Sequence, residues 1–261
     1  MYIDLKNKIA LVTGGATGIG KSIAVALSNS NAKVIITSRE RKNIIKTLKI
    51  LPKDCKGYNL DLTKDSDVNK LYKKVKKDYG KIDIIINNIG HTLNIKNPFA
   101  PIKDWKKIID LNFITTVNVN NKFINEMKKR NWGRIINITS IAGLEISGPS
   151  TFNVSKAALT AYTRSVGRQL AVEKRNIVMT AVAPGVIPTE KGHWNKKNIK
   201  SKHAKNYLKN RTALGRFGTM DELTSIIVFL SSDKASFFHG SIIQPDGGQS
   251  RQYMAFNYLA Q

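Results

Sequence analysis

The sequence predicts an α/β fold, a doubly wound parallel sheet of about seven strands with helices on both faces. Three observations carry that prediction. Short β-branched runs alternate with helix-period patterns along nearly the whole chain, and such alternation implies parallel strands joined by right-handed crossovers. The chain of 261 residues, 41% hydrophobic with 7 prolines, is long enough for one large core. No Pro/Ser-rich linker or internal repeat divides it, so residues 1–261 read as a single domain.

The elements follow in order. Strand runs are expected at Ile9–Thr13, Lys33–Thr37, Gly57–Leu62, Asp83–Asn87, Arg134–Thr139, Val178–Pro184 and Ser241–Gln244. Helical patterns lie between them, near 18–30, 40–50, 64–79, 103–129, 152–174 and 221–231. In the third of these, Val68, Leu71, Val75 and Tyr79 keep helical spacing while lysines take the other face. One segment breaks the rhythm: 185–217 is polar and lysine-rich, and reads as an inserted loop or small helical lid over a cleft.

Charge is the unusual number. Lys and Arg total 43 against 18 Asp and Glu, a net +25 that raises nucleic acid or an anionic surface as a partner. Lysines outnumber arginines 33 to 10, no aromatic residues interleave with them, and they sit on solvent faces of helices; nucleic acid is therefore not the favoured partner. The apolar runs are far shorter than a membrane span, and the start Met1-Tyr-Ile-Asp-Leu-Lys has no signal-peptide pattern, which points to a cytoplasmic protein without a membrane segment. A lone cysteine, Cys55, in a loop-like setting and four scattered histidines give no disulfide and no metal site.

Ligands of such sheets bind beyond the carboxyl ends of the strands. After the first strand comes Thr13-Gly14-Gly-Ala-Thr17-Gly18-Ile19-Gly20, where glycines let the backbone turn tightly against a pyrophosphate at a helix N-terminus. The second strand ends Ser38-Arg39, hydroxyl and cation where a 2′-hydroxyl binder would want a carboxylate; NADP(H) is favoured over NAD(H). Beyond the third, Asp61 and Leu62 stand where adenine would lie, although Asp61 serves equally as a helix cap. The fourth ends Asn87-Asn88-Ile89-Gly90.

The glycine motif, Asn87-Asn88-Ile-Gly90, Asn112, Ile138-Thr-Ser140, Asn153-Val-Ser-Lys156, Pro184-Gly185-Val-Ile187-Pro-Thr189 and Asp246-Gly-Gly stand in the order and spacing of a known family. Through them the whole chain resembles the short-chain dehydrogenase/reductase family, whose fold is Rossmann-type. The resemblance implies hydride transfer between a nicotinamide cofactor and a carbonyl/alcohol pair. By it, Ser140 orients the substrate oxygen, Lys156 holds the nicotinamide ribose and lowers a tyrosine pKa, and Asn112 holds the water of a proton relay. Pro184–Thr189 faces the carboxamide. Homotetramers or homodimers built on the helices near 103–129 and 152–174 are also implied, and the apolar tail at 253–259 reads as a further interface segment.

One position departs. The family keeps a tyrosine four residues before the lysine, and here that residue is Phe152, on the same helix face as Lys156 but without a proton to give. The interval from Ser140 to Phe152 is one residue shorter than usual. Tyr162 lies about 15 Å further along the helix and off that face, and the hydroxyls of Ser150 and Thr151, read as preceding the helix, have no useful acidity. Three readings stay open: a substitution that silences a reductase, a natural variant with another proton source, or a non-catalytic nucleotide binder. The lid, with seven lysines, Arg211, Arg216 and no acid over 191–217, suits an anionic substrate, and Trp194 and Tyr207 either line the pocket or pack the lid.

Overall fold

The structure, a computed structural model, describes residues 3–250 apart from 191, 193 and 196. The segment 253–259 therefore lies outside the described residues. Seven strands form one parallel sheet: β1 (Ile9–Val12), β2 (Lys33–Ser38), β3 (Lys56–Asn59), β4 (Ile84–Asn87), β5 (Gly133–Ile138), β6 (Ile177–Val182) and β7 (Ile242–Ile243). Their order is β3-β2-β1-β4-β5-β6-β7, the doubly wound topology expected.

Alternate side chains of each strand feed opposite faces, as the pleat requires. Ala10, Val12, Ile84, Ile86 and Ile136 pack against α1 (Gly18–Asn29) and α8 (Met220–Leu230) through Ile23, Leu27, Leu223 and Ile227. Ile9, Leu11, Ile85 and Ile135 pack against α3 (Asp65–Tyr79) and α5 (Thr115–Arg130) through Leu71, Val75, Phe123 and Met127. α2 (Arg41–Leu48) covers β2 and β3, and α6 (Ser150–Val172) lies along β6.

Several boundaries moved. The third strand stops at Asn59 rather than Leu62, because Asp61 turns the chain: its Oδ1 accepts from the Thr63 N–H at 3.2 Å and the Thr63 hydroxyl at 2.8 Å. The sixth and seventh strands end at Val182 and Ile243, short of the residues expected. The pattern at 103–129 is two helices, α4 (Ile102–Ile109) and α5, joined by a π-helical turn at Asp110–Ile114. Ser150 and Thr151 open α6 rather than precede it, and buried Thr151 donates to the Ile95 carbonyl. Cys55, in the link before β3, is buried and its Sγ accepts from the Val34 N–H, so it is a core residue. The lid contains α7 (Lys202–Arg211), capped by Ser201.

Candidate active site

β1 and β4 are neighbours whose following helices leave toward opposite faces, so a crevice is expected beyond their carboxyl ends, at Thr13 and Asn88. Gly14 and Gly18 have φ of +63° and +53°, which side-chain-bearing residues rarely adopt. A Cβ on Gly20 would stand 2.4 Å from the Gly14 carbonyl oxygen, so this loop closes on itself only with glycine there. Its brace comes from Asn88, whose Nδ2 donates to the carbonyls of Thr13 and Gly14 while its backbone N–H donates to Thr13 Oγ1. Asn88 thus holds the loop in shape. Thr17 precedes the first turn of α1 with no side-chain cap bond, leaving that turn's amide protons available to an anion.

At the end of β2, Ser38 Oγ accepts from the Glu40 N–H, and Arg39 is exposed. Asp61 is not the cap of α3, where Lys64 holds that position; its carboxylate closes the local turn, and Asp67 of α3 reaches back to the Asp61 N–H. Leu62 is buried in the core.

The second half of the crevice is assembled from four elements. Asn112 lies in the π-turn, fully buried: its Oδ1 accepts from the His91 N–H at 2.9 Å, and its Nδ2 donates to the carbonyls of His91 and Ile108 at 3.0 Å. Lys156 reaches across from α6, 3% exposed, and donates from Nζ to the Ile138 carbonyl at 2.8 Å. Both side chains converge on Gly90, where a Cβ would stand 2.8 Å from Lys156 Nζ and 2.9 Å from Asn112 Oδ1. Burial pushes the Lys156 ammonium down to about 8. Ser140 caps the short turn Ile141–Gly143, its Oγ accepting from the Ala142 N–H, and Gly143 fits against the Lys156 carbonyl without room for a Cβ. Phe152 is half-buried, with its ring centroid 5.7 Å from Lys156 Nζ.

Below these groups lies a buried amide cluster that the strand-end reading anticipated only in part. Asn87 Nδ2 donates to Oδ1 of Asn120 and of Asn137 at 2.9 Å each, and Asn137 donates to Thr163 Oγ1. Asn120 and Asn137 were missed; a polar residue inside the buried run Arg134–Thr139 was the available signal. Tyr162 belongs to this cluster, its hydroxyl accepting from Asn120, and burial pushes its phenol up.

The turn after β6 closes the crevice from the other side. Gly185 packs against Asp246 with no space for a Cβ, Ile187 touches Gly218, and Thr189 lies over Gly18. The Thr189 N–H donates to the Trp194 carbonyl, and Glu190 pairs with Lys21 of α1 at 3.4 Å. Trp194 is a lid-packing residue: its ring lies 4.6 Å from Tyr207 and 5.1 Å from Phe217, and it stacks on His203. The Tyr207 hydroxyl is bound by Gln249, whose Oε1 accepts from the Val186 N–H.

A family profile described as enoyl-(acyl carrier protein) reductase matches residues 14–250. The chain is 34% identical over 254 residues to a 3-oxoacyl-(acyl-carrier-protein) reductase of Aquifex aeolicus, covering 95% of this chain and 99% of that protein. It is 32% identical to the Thermotoga maritima protein of the same name, covering 94% and 98%. Among solved structures it superimposes with a TM-score of 0.83 on a Pseudomonas aeruginosa RhlG/NADP active-site complex, at 26% identity over 95% of this chain and 98% of that one.

Proposed function

Because the chain belongs to the short-chain dehydrogenase/reductase family, an oxidoreductase family, we propose that it reduces the ketone of a 3-oxoacyl thioester to a hydroxyl with NADP(H), its proton transfer weakened by Phe152. The observation that carries this reading is the pairing of two features at the carboxyl ends of the strands: a loop with positive φ at Gly14 and Gly18 and no room for a Cβ at Gly20, and the meeting point of Lys156, Asn112 and Gly90. Those residues fit a dinucleotide. Gly14, Thr17, Gly18, Ile19 and Gly20 would hold the pyrophosphate, and Ser38 and Arg39 the 2′-phosphate. Asp61 and the Leu62 backbone would flank the adenosine, Asn88 would brace the pyrophosphate loop, Gly90 and Lys156 would border the nicotinamide ribose, and Pro184, Gly185, Ile187 and Thr189 would meet the carboxamide. The bound nicotinamide supplies hydride to the carbonyl carbon.

The protein's own part is to place and protonate the oxygen. Ser140 donates a hydrogen bond to the carbonyl, and Asn112 fixes the backbone at His91 so that the floor beside Gly90 stays open. An acyl chain on an anionic carrier suits the lysine-rich α7, and an assembly of two or four copies would cover the exposed Ile102, Ile114, Val154 and Val172. We place the protein in the cytoplasm; among the described residues no helix is long and apolar enough to cross a membrane. A second reading, a nucleotide binder without catalysis, is favoured by Phe152 alone.

Titration with NADPH and NADH, followed by turnover of acetoacetyl-CoA, tests the proposal. NADPH should bind at least tenfold tighter, and Arg39→Glu should remove that preference, a charge-assisted phosphate contact contributing about 1.5–3 kcal/mol. Equal affinity for the two cofactors would sink the NADP(H) assignment, and NADPH binding without turnover in either the native chain or Phe152→Tyr would establish the non-catalytic reading.

A further inference from the structure

We infer that Lys156 is itself the general acid of this chain, its ammonium delivering the proton for which the family pattern keeps a tyrosine. The inference rests on the reductase reading above and follows from how the hydroxyls around position 152 are engaged. Thr151 Oγ1 donates to the Ile95 carbonyl, and Ser155 Oγ donates to the Phe152 carbonyl at 2.8 Å. Tyr162 is held in the amide cluster across α5, where Asn120 donates to its hydroxyl. Ser140 orients but is far too weak an acid to protonate an alkoxide near neutrality.

Lys156 differs from all of these. Its Nζ carries three protons, and among the described residues the Ile138 carbonyl is its one hydrogen-bond acceptor. The groups packed around it are the Gly90 backbone after β4, the Asn112 amide of the π-turn, the Ile138 carbonyl of β5 and the Phe152 ring on its own helix. None of them titrates. The ionisable residues in those segments are His91, whose Nδ1 accepts from the Leu93 N–H, and Asp110, exposed at the start of the π-turn. With no carboxylate to hold the ammonium charged, burial brings it to about 8, which makes it a better proton donor near neutrality than a phenol of ordinary pKa about 10. Lys156 Nζ stands over the Phe152 ring, 5.7 Å from its centroid and on the same helix face, so a carbonyl oxygen held at that ring lies at a distance that one water bridges.

The step balances. The nicotinamide C–H bond breaks and its electron pair forms the new C–H bond at the carbonyl carbon, reducing the ketone and oxidising the dihydronicotinamide. The carbonyl π pair becomes the O–H bond as one N–H bond of Lys156 breaks, and the neutral amine regains a proton from solvent.

The test uses the full chain. ¹⁵N-lysine NMR of the protein without nucleotide gives the titration point of Lys156, and steady-state reduction of acetoacetyl-CoA by NADPH gives the pH profile. Expected is a kcat/KM for NADPH that falls tenfold per pH unit above the titration point seen by NMR, since that ratio reports the free protein. Lys156→Arg keeps the cation but cannot release a proton, so it should lose 10²-fold or more in kcat at saturating NADPH. A kcat/KM for NADPH that stays flat through the Lys156 titration, an active Lys156→Arg, or a native chain that is inactive while Phe152→Tyr turns over would each overturn the assignment of the acid and leave the reductase reading standing. Absence of turnover in both the native chain and Phe152→Tyr would overturn the reductase reading and the assignment with it. If Lys156→Arg fails to fold, the match or mismatch of NMR titration and pH profile in the native chain decides.

Discussion

Lys156 carries its cost in the folded state. Its ammonium is held at about 8 against 10.5 for a free lysine, so between those values the unfolded chain binds more protons and stability rises with pH. Below pH 8 the buried charge costs about 3 kcal/mol, at 1.36 kcal/mol per pKa unit. Lys156→Met should therefore be more stable than the native chain at pH 7, with the difference shrinking as pH climbs from 8 to 10.5; denaturant unfolding at a series of pH values measures it. Gly20 is the other residue with a sharp outcome. A methyl placed 2.4 Å from the Gly14 carbonyl forces the loop open, so Gly20→Ala should cost about 1–3 kcal/mol and abolish NADPH binding, seen by calorimetry. At this scale the sequence was informative for Gly14, expected in a tight turn and found at φ +63°, while Ser140 and Lys156 were singled out through the family resemblance. It did not show Asn88 as a loop brace and left Trp194 open between pocket lining and lid packing, because such contacts depend on which groups the fold brings opposite them.

The elements show where periodicity reads well and where it fails. α8 begins with a capping box: Thr219 Oγ1 accepts from the Glu222 N–H while the Glu222 carboxylate accepts from the Thr219 N–H, and Arg216 also grips Glu222. Thr219→Ala should cost about 1 kcal/mol, measured as a lowered denaturation midpoint at unchanged m-value. That helix was expected near 221–231 and spans Met220–Leu230. The break at Asp110–Ile114 was not foreseen, since the apolar spacing on either side is compatible with one long helix, and the Thr115 N–H donating to the Asp110 carbonyl, five residues back, is what marks the wider turn. Strand ends were overextended at the third, sixth and seventh strands for a related reason. The residues past the third and sixth ends, Leu60, Leu62 and Ala183, are buried apolar groups that continue the strand's pattern after its backbone has stopped pairing.

Across the whole molecule, the charge of +25 is spread over helix surfaces, and many of the acids present are paired, as Lys76 is with Glu126 and Lys128 with Glu173. Duplex DNA should bind only weakly, with an affinity that falls steeply between 50 and 200 mM salt, whereas NADPH binding should change far less; parallel salt titrations check this. The alternation of strands and helices made the doubly wound sheet readable from the chain alone, because both faces must be covered and few topologies do so. The same sheet divides the interior in two: Ala10 and Val12 belong to one apolar cluster, Ile9 and Leu11 to the other. A slip of one residue in any central strand would exchange the two sets, so neither cluster can melt while the other persists. The molecule should accordingly lose both halves of its interior and the crevice in a single cooperative transition, leaving no partly folded species able to hold a dinucleotide.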